Sequence, residues 1–82
     1  MKILPLKKRL VIFVKKHGLQ KRFRKQKRLF ENNSFHPSSH TEILEPKHLR
    51  IYSFRLARRY RVIFIYRGNS TIEIIDINNH YQ

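Results

Sequence analysis

The sequence has no cysteine, only five acidic residues, and no long apolar run. Each absence removes a class of function. Without cysteine there is no disulfide framework, no thiolate zinc site and no cysteine nucleophile, so a small fold must be held by packing alone and suits a reducing compartment. The longest apolar run near the N-terminus, Leu10 to Val14, is far short of the ~20 residues that span a bilayer. It also lacks the length and small-residue cleavage site of a signal peptide, and the expectation is a cytoplasmic protein with no membrane role. With 82 residues, the chain is long enough for one domain, residues 1–82. At this size about 60–65% of the unfolded surface is buried, which builds one thin core but no deep cofactor cavity.

What is abundant is positive charge. Nineteen lysines and arginines against five acids give a formal charge of +14, which repels itself unless a polyanion compensates it. Nucleic acid and an acidic protein are the candidate partners, an anionic membrane being the weaker one for want of a long apolar run. Residues 1–30 carry 12 of the 19 basic residues and no acid, and residues 31–82 carry the other 7 with all 5 acids. This shift marks two structural halves, because neither could bury a core alone.

In the first half, Leu6, Leu10, Phe13 and Val14 form the stripe of an amphipathic helix, predicted from about Pro5 to His17 with Gly18 as a left-handed cap. Leu19, Phe23, Leu29 and Phe30 predict a second helix ending near Asn32 and Asn33, and the two make a hairpin. Met1 to Leu4 is read as a stub of strand. Asn33, Ser34, Pro37, Ser38 and Ser39 predict a loop. Beyond it the period becomes two. A short strand is expected at Thr41–Leu44, longer ones at 51–56 and 60–67 joined by a turn at Ala57–Arg59, and a last one at Thr71–Ile77 after a turn at Gly68–Ser70. The alternation slips at Ile74 and Ile75, which signals a bulge or burial of both faces. The whole is an α+β domain: a two-helix N-terminal hairpin packed on a mainly antiparallel sheet of about four strands.

Three groups of residues could carry chemistry. Lys21, Arg22, Arg24, Lys25, Lys27 and Arg28 nearly encircle the second helix and suit non-specific phosphate contact, an acidic protein partner, or simply a solvated surface. Arg55 and Arg61 fall on neighbouring strands, where antiparallel pairing brings two guanidinium groups to one side of the sheet. A phosphate between them would remove the repulsion, since arginine forks match phosphate oxygens. Alternatively, one arginine turns outward to pair with Glu73 or Asp76. His80 and Tyr81 follow the last strand, and an imidazole there can deliver a proton to a leaving oxygen. His36, His40 and His48 are too irregularly spaced for a zinc motif, and neither a metal nor another cofactor is expected.

The segments ENNSFHPSSHTEIL, IYSFRLARRYRVIFIYR and IEIIDINNHYQ together resemble the RelE/ParE superfamily of toxins from bacterial type II toxin–antitoxin pairs. The resemblance rests on the histidine–proline loop, the Tyr60-to-Phe64 strand and the terminal apolar strand ending in histidine. It implies a helical hairpin on a curved sheet whose concave face cuts messenger RNA in the ribosomal decoding region. Carried over, Arg61 matches the arginine that holds the scissile phosphate, Arg55 a neighbouring basic position, and His80 the terminal catalytic histidine. Tyr81 matches the histidine–tyrosine ending of the YoeB-like branch, and Glu42 the place of a general base. The implied function is a metal-independent endoribonuclease acting on messenger RNA at the ribosome and neutralised by an acidic or partly disordered antitoxin. The alternatives are a ParE-like inhibitor of DNA gyrase and an inactive RNA-binding relative. In this chain the N-terminal strand is shorter than the superfamily's usual one, and Ala57 stands where polar turn residues are common.

Overall fold

The computed structural model describes residues 1–79. Five strands form one sheet in the order β1-β5-β4-β3-β2, with β1 Lys2–Ile3, β2 Glu42–Ile43, β3 Tyr52–Ala57, β4 Tyr60–Tyr66 and β5 Thr71–Asn79. All neighbours are antiparallel except β1, which runs parallel to β5. Two helices, α1 Lys8–Lys16 and α2 Gln20–Asn32, cover one face. This is the α+β architecture expected, with the N-terminal stub adding a fifth strand at the edge.

The first helix starts at Lys8 rather than near Pro5. Ile3 pairs with Ile72 and the Leu4 N–H bonds the Ile72 carbonyl at 3.0 Å, which commits the chain to extended geometry, and Pro5 disfavours helix at the residue before it. Pro5 to Lys7 is then spent turning from the sheet edge onto its face. The C-terminal end is as expected. Gly18 takes φ +65°, and two bonds close the helix: Leu19 N–H to the Val14 carbonyl at 2.8 Å and Gly18 N–H to the Lys15 carbonyl at 3.1 Å. This is a Schellman motif, with buried Val14 and Leu19 at its flanks.

The core lies between the helices and the sheet face formed by Phe54, Leu56, Val62, Phe64, Ile72, Ile74 and Ile77. Phe30 of α2 sits at its centre, stacked on Phe54 with ring centroids 4.7 Å apart and edge-on to Phe64 at 5.3 Å. Glu31, the next residue, ties down the edge: its carboxylate accepts the Ile3 N–H at 2.8 Å and lies 3.7 Å from Lys27 Nζ.

Two irregularities bend the sheet, as bulges do. On β5, Ile63 pairs with Asp76 and Phe64 with Ile74, so Ile75 is the extra residue and the slipped alternation marks a bulge. On β3 the register shifts between Arg55 and Ala57. At each place a helix side chain meets a strand carbonyl. Arg9 of α1 donates to Ile75 O at 2.7 Å, and the buried Gln26 of α2 donates to Arg55 O at 3.0 Å. The helices are thereby bonded to the strands at both irregularities.

Candidate functional site: an arginine pair on the open sheet face

The sheet face turned away from the core carries the polar residues. Arg55 of β3 is directly opposite Arg61 of β4, and Arg61 is opposite Asn78 of β5, so one row across the sheet reads Arg55, Arg61, Asn78. The next row reads Glu42, Ser53, Ile63, Asp76. The predicted juxtaposition of the two arginines is therefore present, and Glu42 lies one row from them.

Arg61 is held in place by three contacts. Its Nε and Nη2 donate to Ser53 Oγ at 3.1 and 2.9 Å, and Nη2 donates to the His40 carbonyl at 2.6 Å. Ser53 is fully buried and His40 is exposed. His40 has φ +46°, the left-handed region that residues other than glycine seldom adopt, and such backbone tends to mark functional sites. Here it accompanies a carbonyl aimed at the arginine.

These contacts leave Nη1, with two N–H groups, as the part of the guanidinium without a partner among the described residues. The expected two-pronged grip on a phosphate is thus modified. Ser53 already occupies one edge of the fork, and an incoming anion meets Nη1. Burial lowers the pKa of Arg61, the charge of Glu42 raises it and that of Arg55 lowers it further; arginine nonetheless remains protonated.

Neither arginine pairs with Glu73 or Asp76, which corrects that alternative. Glu73 lies opposite Ile65 and binds Arg67 Nε at 2.7 Å and Lys7 Nζ at 3.5 Å, while Asp76 lies 3.6 Å from Arg9 Nη1. The register and the chain reversal into α1 supply those acids with other cations.

Helix α2 is not encircled by charge. Phe23, Gln26 and Phe30 face inward, Lys27 is half-buried and paired with Glu31, and Lys21, Arg22, Arg24, Lys25 and Arg28 form the exposed outer face. His36 and His40 lie in the loop between α2 and β2. That loop is closed by Asn33 Oδ1 accepting the Phe35 N–H at 3.1 Å and by Thr41 Oγ1 donating to Ser34 O at 2.7 Å. His48 lies in a 3₁₀ turn at Lys47–Leu49. Among the described residues no group of three or more histidines and acids is placed to hold a metal ion, and no helix is long and apolar enough to cross a membrane. His80 and Tyr81 lie outside the described residues.

Two contributors escaped the sequence reading. Ser53 was legible only as a serine on the arginine face of a strand. The His40 carbonyl, a backbone group in an unusual conformation, left no side-chain signal.

No protein-family model matches the chain. A 45-residue segment, 55% of the chain, is 42% identical to an uncharacterized protein of Haemophilus influenzae and covers 39% of it. The chain thus spans about two fifths of the length of the curated relative it matches. The fold is similar to that of a solved YoeB/ParE toxin from Agrobacterium tumefaciens, with a TM-score of 0.72 over 99% of this chain and 100% of that one at 17% sequence identity. The architecture on which Arg61, Ser53 and Arg55 are assembled is therefore that of a YoeB/ParE-type toxin, the fold implied by the RelE/ParE resemblance.

Proposed function

We propose that this protein is the toxin of a type II toxin–antitoxin pair and acts as a metal-independent endoribonuclease on messenger RNA at the ribosome. The observation that carries the reading is Arg61: a guanidinium anchored by Ser53 and the His40 carbonyl on an open sheet face, beside a second arginine. Such a preorganised cation suits a phosphate whose charge grows in the transition state, because no reorganisation is needed as the charge develops.

In the proposed reaction the RNA 2′-hydroxyl attacks its own adjacent phosphorus. Glu42, or one of the loop histidines, takes the hydroxyl proton. Arg61 Nη1 and Arg55 stabilise the phosphorane-like state, His80 gives a proton to the departing 5′-oxygen, and Tyr81 positions it. The P–O5′ bond breaks as the P–O2′ bond forms, leaving a 2′,3′-cyclic phosphate and a 5′-hydroxyl. The protein supplies no nucleophile, and this chemistry needs no cysteine and no metal. The outer face of α2 grips ribosomal RNA phosphates, and the ribosome orients the strand. The partner is an antitoxin whose acidic, partly disordered segment covers these cations.

A second reading, inhibition of DNA gyrase, is what the ParE-like branch of the RelE/ParE resemblance implies. One experiment separates the two. Brief induction followed by mapping of RNA 5′ ends should show cuts inside translated codons with 5′-hydroxyl termini, whereas gyrase inhibition gives intact RNA and DNA damage. Arg61→Ala should abolish the cuts, with a rate loss of about 10²–10³ and no loss of fold. Wild-type cleavage by Arg61→Ala would remove Arg61 from the site.

A further inference from the structure

A groove of about 420 Å³ lies between α2 and the end of β3, lined by Arg22, Gln26, His40, Arg55 and Arg58 together with Leu56 and Ala57. It shares two residues with the arginine site. Arg55 forms the Arg55–Arg61 pair, and the His40 carbonyl is the acceptor that holds Arg61. No acidic residue lines it, and Arg22, Arg55 and Arg58 are exposed and in no ion pair among the described residues. Three of the five acids, Glu31, Glu73 and Asp76, are committed to Lys27, Lys7, Arg67 and Arg9. Three arginines therefore line one groove that no carboxylate lines, the nearest acid on the sheet, Glu42, standing one row away beside Ser53, and gathered like charges of this kind favour an entering anion. Gln26 fixes the floor by bonding the Arg55 carbonyl, so the groove is built on paired strands and a helix.

We propose that this groove is a second phosphate subsite, which holds the phosphodiester adjacent to the one at Arg61 and so directs single-stranded RNA from the sheet face toward the outer face of α2. The proposal rests on the reading of Arg61 as the scissile-phosphate residue and adds a direction and a minimum length to the substrate. A strand with one phosphodiester fills the Arg61 site only. A longer strand also engages Arg22 and Arg58, neither of which touches the reacting atoms.

The test is fluorescence anisotropy of the full chain, made by cell-free synthesis, with 2′-O-methyl dinucleotide and tetranucleotide probes that cannot be cleaved. The wild type should bind the tetranucleotide more tightly. Arg58→Ala and Arg22→Ala should each weaken the tetranucleotide roughly 5- to 10-fold while leaving the dinucleotide within about twofold, since only the longer probe reaches them. Each should also reduce the slope of log K against log salt by about 0.7, the single-strand value per phosphate contact. Equal effects of Arg58→Ala on both probes, or no effect on either, would overturn the subsite. If Arg61→Ala leaves dinucleotide binding unchanged while Arg58→Ala weakens the tetranucleotide, the groove binds anions but the Arg61 reading and the adjacency both fail. A polyglutamate peptide that displaces the tetranucleotide at equal concentration, with the same dependence on Arg58, would make the groove a carboxylate site and refute the assignment to RNA.

Discussion

Replacing Ser53 by alanine removes one oxygen from beneath Arg61 and nothing else from the fold. The hydroxyl accepts from both Nε and Nη2 of a charged group. Hydrogen bonds to charged groups are worth about 1.5–3 kcal/mol, and two bonds sharing one acceptor count here as one such contact. If that energy is spent on orienting Arg61 for the transition state, the loss is about 10- to 100-fold in rate. It falls short of removing Arg61 altogether because the His40 carbonyl still holds Nη2 at 2.6 Å. Single-turnover cleavage of a ribosome-bound message should therefore rank wild type above Ser53→Ala and Ser53→Ala above Arg61→Ala, with Ser53→Thr close to wild type. Ser53 acts only through Arg61, so adding Ser53→Ala to Arg61→Ala should cost nothing further, the signature of coupled residues in a double-mutant cycle. Urea midpoints control for folding. Full additivity of the two substitutions, or an unimpaired Ser53→Ala enzyme, would refute the positioning role.

Phe30→Ala removes a fully buried ring that touches two others and should cost about 3–5 kcal/mol. Chains of this size have only about 4–12 kcal/mol in total, so calorimetry should show a collapsed or missing transition, and a shift of only a few degrees would count against this core. Glu73 has its pKa lowered, first by the hydrogen bond from Arg67. A depressed carboxylate stabilises the fold above the ordinary carboxylate range and loses that contribution as pH falls through its own lower pKa. Glu73→Gln should thus be less stable than wild type at neutral pH and equal to it in strong acid; a difference that persists in acid would point to packing instead. His80→Gln should slow cleavage by roughly 10²–10⁴ with ribosome affinity retained, and unaltered single-turnover kinetics would make the histidine a bystander.

The elements legible in the sequence are those set by local chemistry. Gly18 ends α1 because its left-handed φ is needed for a Schellman cap, and a glycine after an apolar stripe advertises that. The double isoleucine at Ile74–Ile75 marked an irregularity, a bulge or burial of both faces, because a two-residue period cannot absorb it, and the register shows the bulge. Arg55 and Arg61 could be set side by side because their hairpin is short. What was not legible depends on distant partners. The strand stub at Met1–Leu4 was legible, but its parallel pairing with β5 was not, because a two-residue strand has no period and its edge is held by Glu31, 28 residues away, which accepts the Ile3 N–H. The partners of Glu73 and Asp76 could not be foreseen either, because Lys7 and Arg9 reach them only through the path by which α1 leaves the sheet edge.

That distribution of acids has an energetic consequence for the other half of the molecule. Helix α2 carries Lys21 four residues before Lys25 and Arg24 four before Arg28. Like charges at that spacing destabilise a helix by about 0.2–0.5 kcal/mol per pair. Leu19 gives it no side-chain cap, and its first turn has no acid. The Lys27–Glu31 pair offsets part of this from the helix itself, and the Phe30 stack and the Gln26–Arg55 bond hold it from the inner face. Of the five acids, Glu73 and Asp76 are bound at the α1–β5 edge and Glu31 at Lys27, and Glu42 and Glu45 lie beyond α2 on the β2 segment. An anion on α2 or in the adjoining groove then relieves repulsion in the folded state, where the cations are gathered, more than in the unfolded chain, where they are dispersed. Binding of this kind raises apparent stability by RT ln(1 + [L]/Kd). The residues that cost the fold most electrostatic energy are thus the ones a polyanion would repay, and inward aromatic packing is what lets the chain keep them uncompensated on its surface.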